Sequence, residues 1–254
     1  MPELLSKQEF HYHPTEWLEV IAEDASMDSV ARRLAIRLQS SSLPEGGDES
    51  CRYMLNVGYD GLSLRDKTRP QTKPFWLDVT AVNHHFSGRD LLARAIGRRC
   101  RTVVDATAGF GRDAFRLFRL GKRVTAIERS PVVATILADG MNRLISPSRI
   151  DSLTLICDDA RRWLAQCDRP DVVYLDPMFP NRHYRSALAA KELRILRSLV
   201  GDDADAVDLF AVAQSVASQR VVVKRPSRSE PLVTLPDLEY KGKVVRYDVY
   251  LTAL

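Results

Sequence analysis

The sequence predicts an α/β protein: a mostly parallel, Rossmann-like sheet with helices on both faces, an antiparallel C-terminal strand, and a small N-terminal α+β region. Three observations carry this. Beyond residue 100, apolar runs at 102–105, 123–128, 153–156, 171–176 and 220–224 alternate with helical segments, which calls for parallel strands joined by crossover helices. Four of these runs meet an acidic residue at or just after their C-terminal ends, the edge at which such sheets bind ligands. The tail, 244–251, instead alternates with period two and adds the antiparallel strand.

The elements follow in order. The first thirty residues are acidic, with Glu3, Glu9, Glu16, Glu19, Glu23, Asp24 and Asp28 against Lys7. Val30, Leu34 and Leu38 recur every fourth residue opposite Arg32, Arg33 and Arg37, which predicts an amphipathic helix over 29–39. Ser40 to Asp48 is rich in Ser, Gly and Pro and ends it as a loop. Alternating runs at 53–64 and 75–82, separated by a Pro- and Lys-rich stretch, read as a small β unit. A helix is expected at 90–96. Residues 1–85 form the N-terminal region in this reading, and 86–254 the main domain.

Composition excludes several classes. With 254 residues, 45% hydrophobic and 28% charged, the chain is an ordinary globular protein. Every apolar run is shorter than the ~18 residues a membrane span requires, and the start has no basic segment followed by an apolar one, so a cytoplasmic location is expected. Cys51, Cys100, Cys157 and Cys167 show no C-x-x-C pair, and no metal site is expected. The net charge is +4. Its basic excess lies in Arg65, Lys67, Arg69 and Lys73, in Arg94, Arg98, Arg99 and Arg101, and around Lys224, Arg225 and Arg228, a distribution compatible with a polyanionic partner.

The first chemical motif is the turn after the 102–105 strand, where Asp105 precedes Gly109-Phe110-Gly111-Arg112-Asp113-Ala114. Glycines there permit a tight turn and close approach of a ligand to a helix start. Glu128 ends the next strand, where a carboxylate accepts two ribose hydroxyls. Together they indicate an adenosine-containing ligand, either NAD or S-adenosylmethionine. Asp105 favours the second, since it can serve the methionine ammonium, and no G-K-[ST] follows the glycines.

The second motif is Asp176-Pro177-Met178-Phe179-Pro180, which resembles the [DN]-P-P-[YFW] signature of methyltransferases acting on exocyclic or amide nitrogens. A conjugated amine is a poor nucleophile. Hydrogen bonds donated by its two N–H groups to the Asp176 carboxylate and the Pro177 carbonyl favour a pyramidal nitrogen, and Phe179 is placed to stack on the base.

With these motifs, the strings at 105–115, 128–133, 172–180, 198–201 and 220–226 resemble the ribosomal RNA small subunit methyltransferase J family. The resemblance implies a class I methyltransferase fold and methyl transfer from S-adenosylmethionine to the exocyclic N2 amine of a guanosine in small-subunit ribosomal RNA. It implies cofactor contacts from Arg112, Asp113, Glu128, Arg129, Asp176 and the residues after the third strand. There the family shows a small hydroxyl pair and this chain reads Asp158-Asp159-Ala160; either aspartate is suited to accept from the adenine amino group. RNA phosphates are expected along Lys224 and Arg225. Two alternatives stand beside this reading. An NAD-dependent oxidoreductase on the same glycine loop would need a His, Tyr or Lys acid-base set that no motif supplies. A non-catalytic RNA-binding module would have no use for Asp176.

Overall fold

The computed structural model describes residues 18–42, 51–78, 90–144, 152–178, 187–201 and 203–252. Two sheets make the frame. The smaller contains β1 (Leu18–Ala22), β2 (Ser41–Ser42), β3 (Tyr53–Gly58), β4 (Gly61–Asp66) and β5 (Phe75–Trp76), in the order β2-β1-β3-β4-β5. The expected helix is α1 (Asp28–Leu38), which buries Ala31, Leu34, Ala35 and Leu38. The β3–β4 hairpin buries alternate residues on one face, as its period-two pattern requires. β1 was not expected, because acidic residues interrupt its apolar pattern. Glu19 in that strand is fully buried and accepts from Lys67 Nζ at 2.9 Å.

The larger sheet contains β6 (Thr102–Asp105), β7 (Arg123–Ile127), β8 (Leu153–Ile156), β9 (Val172–Leu175), β10 (Arg220–Pro226), β11 (Leu238–Lys241) and β12 (Val245–Leu251), in the order β11-β12-β10-β9-β6-β7-β8. β6 to β10 run parallel. β12 is antiparallel to β10, as the alternating tail predicted. β11 is an exposed edge strand, and with so little buried it has no apolar periodicity to detect.

A short 3-10 helix (Ala25–Met27) and helices α2 (Leu91–Ile96), α3 (Arg112–Arg119), α4 (Pro131–Leu144), α5 (Ala160–Leu164), α6 (Ala187–Val200) and α7 (Ala206–Val216) complete the elements among the described residues. Asp90 caps α2 by accepting from the Leu92 and Ala93 N–H groups. Successive residues of the central strands enter opposite cores: Val172, Tyr174 and Val222 one, Val173, Leu175, Val221 and Val223 the other. Burial on both faces is why these strands read as continuous apolar runs. The first core also contains Leu18, Tyr53, Leu62 and Phe75, so the small sheet shares the apolar interior of the large one. The expected boundary near residue 85 lies outside the described residues.

The topology sets where ligands approach. Strand order reverses between β6 and β9, which opens a crevice at their carboxyl ends. Arg98, Arg99 and Arg101 precede β6, at the opposite edge of the sheet.

Candidate active site

The loop after β6 turns through Gly109 at φ +54° and Gly111 at φ +77°, a region that side-chain-bearing residues rarely enter. A Cβ on Gly111 would also lie 2.5 Å from Leu137 Cδ1. The loop is tied to the next strand exit: Glu128 Oε2 accepts from the Gly109 N–H at 2.9 Å and Oε1 from the Ser130 N–H at 2.7 Å. Burial pushes the Glu128 carboxyl up to about 7, against those two donors. Asp105 accepts from the Thr107 N–H at 3.2 Å. Thr107 Oγ1 in turn accepts from the Asp176 N–H at 2.6 Å, joining the exits of β6 and β9.

Two cavities meet here. The first lies over the exits of β7 and β8 and is lined by Glu128, Arg129, Asp158, Asp159 and Ala160. The second is lined by Asp105, Arg112, Asp113, Tyr174, Glu192 and Lys224. Thr107, Gly109, Asp176, Met178 and Leu196 form the wall common to both. Asp176 therefore stands at the junction of the two chambers.

The second chamber is rich in carboxylates. Asp113 Oδ2 accepts from Tyr174 Oη at 2.7 Å and from Lys224 Nζ at 2.5 Å, and Oδ1 accepts from Arg116 at 2.9 Å. Burial alone would raise the Asp113 carboxyl, but Lys224 and Arg116 outweigh it and hold the group well below the usual carboxylate range. Burial, reinforced by Asp113, pushes Asp105 up to about 8. A buried carboxyl in that state ionises when a cation docks against it, which suits a cationic cofactor.

Most of the expected site residues lie in these two chambers. Arg129 faces the first and pairs with Asp203 and Asp205. Asp158 accepts from the Asp159 N–H and from Arg162, whereas Asp159 caps α5 through the Arg161 N–H. Arg112 is half exposed and grips Glu192 through Nε at 2.8 and 2.9 Å. Pro177 is buried, and Phe179 lies outside the described residues.

The placement of Lys224 and Arg225 departs from expectation. Both were expected along a phosphate path, yet Lys224 turns into the second chamber and Arg225 is 8% exposed, its Nε donating to the Glu230 carbonyl at 2.9 Å. The reason is that β10 lies inside the sheet between β9 and β12, and its two faces enter the two cores. Sequence reasoning did not single out Thr107, Tyr174, Glu192 or Asp203. Asp203, which accepts from the Met178 N–H at 2.5 Å, follows a helix end and carries no local signal.

A sheet of this order, with glycines after its first strand, a carboxylate after its second and Asp-Pro-Met after its fourth, defines a class I S-adenosylmethionine-dependent methyltransferase. The family model for SAM-dependent methyltransferases matches residues 37–252. Proteins named ribosomal RNA small subunit methyltransferase J match along most of the chain. The one from Tolumonas auensis is 42% identical over 92% of this chain and 98% of its own, and the one from Pseudomonas aeruginosa 40% over 92% and 94%. The solved structure of a SAM-dependent methyltransferase from Neisseria gonorrhoeae superposes with a TM-score of 0.70 at 33% identity, covering 92% of this chain and 95% of that one. The chain belongs to the SAM-dependent methyltransferase family, among the ribosomal RNA small subunit methyltransferase J proteins. It is an enzyme whose cofactor is S-adenosylmethionine, and the oxidoreductase alternative is set aside.

Proposed function

We propose that this enzyme methylates the exocyclic N2 amine of a guanosine in small-subunit ribosomal RNA, in the cytoplasm. The observation that carries this reading is the position of Asp176, on the wall common to the two chambers with its backbone anchored to Thr107. The cofactor, when bound, supplies a methyl group on a positively charged sulfur. Glu128 would hold the ribose hydroxyls, with lone pairs beyond those its backbone donors use. Asp158 or Asp159, with Ala160, would edge the adenine, and Arg112, Asp105 and Asp113 would surround the methionine end.

The target amine enters from the other side, its two N–H groups donating to Asp176 and the Pro177 carbonyl. Methyl transfer to the nitrogen, with the bonding pair left on the sulfur, would make the nitrogen cationic, and Asp176 would stabilise it. The surplus proton then leaves to Asp176 or water. Catalysis on this account is positioning and electrostatic stabilisation. A paired guanosine hides this amine in the duplex, so the base must be unpaired or flipped out.

The phosphate path consistent with this site is the connection between β4 and β5, with Arg69 and Lys73 exposed. It leads into Phe75, whose ring meets Phe110 of the glycine loop. The test is transfer of labelled methyl to small-subunit RNA or subunits, followed by nuclease digestion and mass spectrometry. N2-methylguanosine is the expected product; labelling of another base, or none, overturns the reading.

A further inference from the structure

Lys224 is the feature of the site that neither motif explains. Its Nζ lies 2.5 Å from Asp113 Oδ2 and 2.9 Å from Asp176 Oδ2, with the side chain 18% exposed. Asp113 is itself fixed by Tyr174 and Arg116, and Arg116 is held in turn by Asp90 at 3.2 Å. The ammonium thus joins a rigid carboxylate on α3 to the carboxylate at the exit of β9.

We propose that Lys224 is a positioning residue for methyl transfer: clamped by Asp113, it orients the Asp176 carboxylate toward the target amine. The inference rests on the reading of Asp176 given above and deepens it. Two physical arguments support it. A carboxylate on a short side chain rotates unless one oxygen is held, and misplacing a reacting contact by about 1 Å costs on the order of a hundredfold in rate. Two carboxylates facing one chamber also repel, and a cation between them offsets that repulsion. Lys224 supplies both the grip and the cation.

The charge of the cofactor makes the proposal separable from simple structural support. Lys224 faces the same chamber as the acidic groups that would receive a cationic ligand. Removing its positive charge therefore leaves S-adenosylmethionine affinity unchanged or tighter, whereas structural damage would weaken it. It is separable from a phosphate contact too, since each such contact contributes about 0.7 to the log-log salt slope for single-stranded RNA.

The experiment compares the full-length wild type with Lys224→Met, Lys224→Gln, Asp176→Asn and the double variant Lys224→Met/Asp176→Asn. Melting temperature, cofactor affinity, RNA salt slope and single-turnover methyl transfer to small-subunit RNA are measured for each. The expected result is a loss of tenfold or more in transfer rate for either Lys224 variant, with cofactor affinity and salt slope kept. The double variant should be no slower than Asp176→Asn alone, because Lys224 acts through that carboxylate. Lys224→Gln keeps a donor of similar length and serves should the Met variant melt early. Wild-type turnover in a Lys224 variant, losses that multiply in the double variant, or a salt slope reduced by one contact would each overturn the proposal. Failure of the proposed function shows differently, as wild-type enzyme that does not methylate this RNA, or as Asp176→Asn with undiminished transfer.

Discussion

The ring of Phe75, in the last strand of the small sheet, has its centroid 4.5 Å from that of Phe110, which lies between the two glycines of the loop after β6. Both side chains are buried, at 5% and 3% exposure. The N-terminal sheet is in this way a brace for the loop. Phe75→Ala should cost about 3–5 kcal/mol of stability, as for other large aromatic truncations, and weaken cofactor binding. Denaturant unfolding and calorimetry test this, and unchanged cofactor affinity in a folded variant would refute the brace.

Glu128 holds the Gly109 N–H and, in the proposed function, also receives the ribose. Glu128→Ala should reduce S-adenosylmethionine affinity by about 1.5–3 kcal/mol, the range for hydrogen bonds to a charged group. Equal affinity in titrations of wild type and variant would place the ribose elsewhere.

The raised carboxyls predict a pH dependence. Glu128 and Asp105 stand at about 7 and about 8 in the ligand-free protein, against ordinary values of 4.5 and 3.8. Between those limits the folded state binds more protons than the unfolded chain, so the ligand-free enzyme loses stability as pH rises through that window. Ribose hydroxyls and the cofactor ammonium favour the ionised carboxylates, so binding expels protons and tightens as pH rises from 6 to about 8. Calorimetry in buffers of different ionisation enthalpy measures this release; proton uptake, or none, would contradict it.

Asp176→Asn keeps the shape and one acceptor oxygen but removes the charge that meets the developing cation. Turnover should fall on the order of a hundredfold or more. RNA affinity should change little, because phosphate contacts supply most of it. Single-turnover transfer at saturating cofactor is the measurement, and near wild-type rates would mean that the assigned mechanism is wrong.

Replacing Arg69 and Lys73 together by Gln should lower the magnitude of the salt slope for single-stranded RNA by up to about 1.4. The same exchange at Arg98 and Arg99, at the far edge of the sheet, should leave it unchanged. A reversed outcome would move the RNA to the other edge.

Much of this was legible in the residue order. The central strands announced themselves because burial on both faces leaves continuous apolar runs. The glycine loop, Glu128 and Asp176 were found because ligands of such sheets gather at strand ends, a rule that needs no coordinates. β1 and β11 escaped, one because a charged residue is buried inside it against Lys67, the other because almost nothing in it is buried.

What the tertiary structure decided is which partner each charge has. Lys224 and Arg225 stand in a string that reads as basic surface, yet one is an internal cation between two carboxylates and the other caps a carbonyl. Arg112 and Asp113 are neighbours in sequence and part company, the first to Glu192 and the second to Lys224. Apolar periodicity and strand-end motifs are local, written within a few residues, and so can be read directly. Asp113 and Lys224 are 111 residues apart, and an ion pair over that separation exists only once α3 has packed against the sheet that contains β10.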